Sequence, residues 1–142
     1  MDDRESMEDP MARMAAVRNT YAQDKVVTTP ERLITMLYDR LARDLVGAEA
    51  AIERHDIAQA HTLLVHAQEI VFELLSALDV DKWDGARQLS SLYTWLLNEL
   101  AAANLRKDAP KVAACRAIVE PLGEAWHAAA AQVGGNQLGA AV

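Results

Sequence analysis

Between Ile57 and Leu78 the residues Ile57, Ala60, Leu64, Ala67, Val71, Leu74 and Leu78 fall at alternating spacings of three and four. Such a repeat averages about 3.5 residues, close to the helical period and far from the period of two of a half-buried strand. It forms the seam of a helix packed in a left-handed bundle. One amphipathic helix of this length is marginal alone in water, so the stripe demands partner helices.

The rest of the chain supplies three. A first stripe begins at Pro30, with Thr29 as a cap and Glu31 in the first turn, and runs through Leu45, Ala48 and Ile52 to about Arg54. Asp56 then caps the second helix, with Gln59 as its capping-box partner. The segment DVDKWDG (Asp79 to Gly85) breaks it. A third stripe carries Leu89, Leu92, Tyr93, Leu96, Leu100 and Ala103, and KDAP (Lys107 to Pro110) ends it, with Asp108 as the next cap. A fourth carries Val112, Cys115, Val119, Leu122, Trp126 and Ala129. Pro121 lies inside this last helix, where its missing N–H should kink or bend it. Short connections between long helices favour antiparallel neighbours. The expected fold is an all-α, antiparallel up-down four-helix bundle over residues 19–133. A mobile N-terminal arm, residues 1–18, and a disordered tail, residues 134–142, flank it.

Charge and composition remove several function classes. A net charge of −7, with no Lys/Arg block, argues against nucleic acid and anionic membrane surfaces as partners. No apolar run reaches the roughly 20 residues that span a bilayer, so membrane insertion is not expected. The acidic start MDDRESMEDP is unlike a secretory signal. One cysteine, Cys115, excludes an internal disulfide and suits a reducing compartment. The expected location is the cytoplasm.

Candidate chemistry is thin. Di-metal bundles use two Glu-x-x-His pairs, whereas the chain has one, Glu124 and His127, with Trp126 of the core stripe between them. His61 and His66, five apart, do not share a helix face. His61 as a phospho-accepting histidine lacks the small residue and lysine such a role uses; Leu64 and Val65 stand there instead. Cys115 falls on an apolar stripe, and the carboxylates, including those of DRLARD (Asp39 to Asp44), read as outward surface. No enzyme, metal site or cofactor is expected.

What the sequence has in excess is apolar surface. In TTPERLITMLYDRL the residues Leu33, Ile34, Met36, Leu37, Tyr38 and Leu41 cover an arc of roughly 200°, about twice what one core requires. Val65 and Phe72 stand beside the main stripe of the second helix, and Trp95 at the edge of the third. Leu33, Met36, Leu37, Val65, Phe72 and Trp95 are the candidate contacts for a partner, whose natural form is another amphipathic helix. The arm carries Met11, Met14, Val17 and Tyr21 at helical spacing. Met14, Val17 and Tyr21 could shield the groove until a client arrives.

Three stretches resemble the family of flagellar secretion chaperones, FliS: NTYAQDKVVTTPERLITMLYDR (Asn19 to Arg40), SLYTWLLNELAAANLRKD (Ser91 to Asp108) and LGEAWHAA (Leu122 to Ala129). Their order and spacing make the match specific over about residues 19 to 131, although Pro121 departs from the family's unbroken last helix. The resemblance implies an antiparallel helical bundle that binds the C-terminal segment of flagellin and prevents premature polymerisation. It also implies delivery to the type III export gate and leaves room for other flagellar regulators as partners. Two alternatives need no flagellin: a self-associating bundle whose surplus surface makes a homodimer, and a metal or phosphotransfer bundle using His61, His66 or Glu124 with His127.

Overall fold

In the computed structural model, residues 30–141 are described, with side chains through Gln132. Thr29, the arm (residues 1–18), Met14, Val17 and Tyr21 lie outside the described residues. Four helices follow in order: α1 (Pro30–Glu53), α2 (Ile57–Ala77), α3 (Ala86–Arg106) and α4 (Ala109–Ala141). No strand occurs among the described residues. Each helix packs on its sequence neighbour, and α1 also packs on α4, which closes an up-down ring. The α3–α4 seam is the thinnest of the four.

The stripes meet in one core. Leu37, Leu41 and Leu45 of α1 pack with Leu64, Val71 and Leu74 of α2, Leu96 and Leu100 of α3, and Val112, Cys115 and Val119 of α4. Two expected stripe members are instead exposed. Ile57 is the first residue of α2, beyond the reach of a neighbouring helix, and Ala129 lies in the part of α4 that outruns the shorter helices around it. The backbone of α4 stays helical to Ala141 through Gly134 and Gly135. Pro121 does not interrupt it. Its ring and Ala117, whose carbonyl loses its partner, are exposed, so water can satisfy the freed group.

One end of the bundle is closed by two short turns of the same design. His55 (φ 59°) and Lys107 (φ 52°) take left-handed conformations, and the next N–H donates back to the helix: Asp56 to the Ala51 carbonyl at 2.8 Å, Asp108 to that of Ala103 at 3.0 Å. Asp56 and Asp108 then cap the following helices by accepting from the N–H of Gln59 and of Lys111, both at 3.1 Å. Side chains near this end are small, including Ala48, Ala51, Ala60 and Ala103, all fully buried.

The expectation that the carboxylates face outward fails at two places. Asp44 is 3% exposed and bonds His66 Nδ1 across the α1–α2 interface, with Arg40 3.4 Å away on the same helix. The reason is register: Leu37, Leu41, Asp44, Ala48 and Ala51 continue a four-three spacing, so Asp44 occupies a seam position. Its buried charge is tolerated because two cationic or donating groups meet it. Glu73 of α2 is also buried.

Candidate functional site

At the opposite end the buried side chains are larger, Tyr38 and Tyr93 among them, with Trp126 packed against them. The α2–α3 connection, Leu78 to Gly85, is longer than the other turns and leaves Trp83 half exposed. Beneath it opens a cleft of about 340 Å³. Leu33, Ile34 and Leu37 of α1 form one wall, Leu74 and Leu78 the second, Leu89 and Tyr93 of α3 the third, and Trp126 of α4 the back. Glu73 sets a carboxylate in this wall, and Asp79 and Lys82 sit at the loop side. A Cβ on Gly85 would lie 2.4 Å from the Trp83 ring, so glycine at this position lets the indole fold back over the backbone and reach the cleft.

Beneath the cleft lies a hydrogen-bonded pair of tyrosines. The hydroxyls of Tyr38 and Tyr93, residues on diagonally opposed helices, are 2.6 Å apart and both side chains are buried. Trp126 lies against Tyr38 with ring centroids 6.4 Å apart. Burial pushes both phenols above their ordinary range; for Tyr38 the hydrogen bonds from Tyr93 and Trp126 pull the other way. Both are neutral at any ordinary pH and act as donors and acceptors, not as charges.

The six candidate contact residues divide. Leu33 and Leu37 line the cleft, Leu37 buried and Leu33 half-buried. Met36, Val65 and Phe72 are half-buried, Trp95 is 41% exposed, and none of the four lines the cleft. Sequence periodicity missed Trp83, which was read only as part of a helix break, and Leu105, which is 84% exposed. Leu105 borders a shallow depression between α2 and α3 with His61, Gln68 and Asn104. A tryptophan in a connecting segment and a leucine off the α3 stripe were the available signals.

Three of the four histidines have side-chain partners. The Asn104 side-chain nitrogen lies 3.1 Å from His61 Nδ1, which accepts the amide proton. His66 meets Asp44, and His127 Nε2 lies 2.7 Å from Asp39 of α1 while Glu124 points to solvent. Among the described residues no three His, Cys, Asp or Glu side chains are grouped to hold a metal ion. Burial pushes the Cys115 thiol up to about 11. No helix of the described residues is long and apolar enough to cross a membrane.

A bundle with an apolar cleft at one end has the shape to bind another helix. Comparison with known proteins decides the family. The family model for flagellar protein FliS matches residues 13–133. This chain belongs to the FliS family. The flagellar secretion chaperone FliS of Campylobacter jejuni is 33% identical over 111 residues, covering 77% of this chain and 87% of that protein. That of Salmonella typhimurium is 34% identical over 100 residues, covering 69% and 74%, and that of Bacillus subtilis 29% over 118 residues, covering 80% and 88%. FliS proteins form a family of chaperones of flagellar export, not of enzymes.

Proposed function

We propose that this chain is a cytoplasmic export chaperone for flagellin. It binds the C-terminal segment of flagellin, which is unfolded in the monomer and forms an amphipathic helix on the bundle. Binding keeps flagellin from polymerising before export, and the loaded complex docks at the flagellar type III export gate. The observation that supports this reading is the apolar cleft walled by Leu33, Ile34 and Leu37, the same residues whose apolar arc exceeds what one core can use. Met36, Val65, Phe72 and Trp95 lie outside the cleft and would serve a client that continues over the outer faces of α1, α2 and α3.

The same reading gives the arm a role. Pro30, the first described residue, lines the cleft, and the arm precedes it in sequence. Met14, Val17 and Tyr21 are the anchors that would occupy the cleft until a client displaces them. Ordering a disordered client costs about 2–5 kcal/mol or more, so a large apolar contact is needed, and the arm lowers the exposed apolar area in the meantime.

The test is seeded polymerisation of the host's flagellin with and without one equivalent of this protein. Filament growth should stop and a one-to-one complex should elute together. Growth at an unchanged rate, with no complex, would remove the proposal.

A further inference from the structure

Trp83 differs from the rest of the cleft wall. Every other leucine, isoleucine, tyrosine or tryptophan lining the cleft belongs to the core or packs against it, whereas Trp83 is 47% exposed. Trp83 also borders a polar depression with Asp81, Asp84 and Arg87, so its indole stands as a partition between the cleft and solvent. The connection that carries it is held locally. The Asp81 N–H donates to Asp79 Oδ1 at 3.1 Å, the Lys82 N–H to the Asp79 carbonyl at 3.3 Å, and the Ala86 N–H to the Trp83 carbonyl at 3.2 Å. The Arg87–Asp81 pair, 3.4 Å apart, is 79% exposed on both sides. None of these bonds reaches α1 or α4, so the segment can shift without opening a seam of the bundle. Gly85 decides where the indole sits. Its φ of −82° is open to any residue, so the backbone does not require glycine. Space does, since a Cβ there would meet the Trp83 ring at 2.4 Å.

We infer that Trp83 is a client-binding residue whose indole closes over the segment seated in the cleft, and that Gly85 is the positioning residue that holds the indole at the mouth. This rests on the client reading given above. Apolar side chains of the client lie between the core-packed walls and the indole. The buried walls have already left water on folding and gain little more on binding, whereas about half of the Trp83 surface is still in water. Trp83 therefore contributes to affinity out of proportion to its contribution to folding, as buried aromatic anchors of an interface do.

The experiment measures binding of the host flagellin C-terminal segment to the full chain, its Trp83→Ala and Gly85→Ala variants and the double variant, with a thermal melt of each. Trp83→Ala should weaken binding roughly tenfold. Gly85→Ala keeps the indole but displaces it, and should weaken binding roughly threefold or more. The Tm of both single variants should stay within about 4 °C of the unmodified chain, since neither touches the core and alanine suits this backbone. In the double variant the effect of Gly85→Ala should vanish, because the ring it displaces is gone. Affinity unchanged in Trp83→Ala, or falling only in step with Tm, overturns the inference while leaving the chaperone reading intact. Affinity unchanged in Gly85→Ala, or losses that add in full in the double variant, overturns the role of Gly85. Absence of binding by the unmodified chain removes both the inference and the reading it rests on. Should Trp83→Ala fail to fold, Gly85→Ala alone carries the test, and binding equal to that of the unmodified chain overturns the inference.

Discussion

The two ends of this bundle are built from opposite materials. At the His55 and Lys107 end, two tight turns, two aspartate caps and the fully buried Ala48, Ala51, Ala60 and Ala103 let the backbones approach closely. At the other end the larger Tyr38, Tyr93 and Trp126 pack together, and the Leu78 to Gly85 connection leaves a cleft beneath it. Small side chains with capped, hydrogen-bonded turns give an end whose interior is filled. Large aromatics with a long connection give an end whose apolar walls are complete only when something else sits between them.

That contrast can be broken by substitution. Leu100→Ala, in the fully buried core, should cost about 2–5 kcal/mol of unfolding free energy. Leu33→Ala, half-buried on the cleft wall, should cost about 1 kcal/mol, since fewer of its methyl groups leave water on folding. Denaturant titration compares the two directly, and equal losses would mean that the cleft is part of the core.

Cys115 reports on closure through pH. Its thiol is fully buried and pushed up to about 11 by desolvation, with Glu99 adding to the effect and Lys111 opposing it. A thiol reagent at pH 8 should react only after denaturant is added. Because the folded state holds this proton more tightly than the unfolded chain, its contribution to stability is complete below the unfolded pKa. It is lost as pH rises from about 8.5 towards 11. Rapid labelling of the native protein would show that the closed end opens.

The smallest expected effect is at a turn. His55 is exposed and holds a left-handed φ of 59°, which costs a residue with a Cβ energy that glycine avoids. His55→Gly should raise stability by about 0.5–1 kcal/mol, read as a small rise in Tm. A drop would mean that the imidazole contributes more than the backbone strain removes.

The closed end was legible in the sequence because its signals are local. Asp56 with Gln59 and Lys107 with Asp108 each lie within a few consecutive residues, and the helices begin and end there. The apolar surplus of α1 was legible too, since it needs only the helical angle. The cleft was not, because its walls come from four helices and a connecting segment, and periodicity along one helix cannot say what converges across them. Asp44 shows a different failure. It sits on a seam spacing with Leu41 and Ala48, yet a stripe defined by apolar residues passes over a charge whose partner, His66, lies on another helix. Trp83 was hidden for a third reason: whether a connecting-segment indole faces solvent or folds inward depends on Gly85 leaving it room.

Isothermal titration calorimetry of this protein with the C-terminal segment of its host's flagellin tests most directly whether the open end is the binding end. The measurement uses the unmodified chain, Leu33→Ala on the cleft wall, and Ile57→Ala, an exposed apolar residue at the closed end. One-to-one binding with a negative heat-capacity change is expected, weakened about tenfold by Leu33→Ala and unaffected by Ile57→Ala. Binding that survives Leu33→Ala and is lost in Ile57→Ala would place the client at the closed end and contradict the assignment of the cleft.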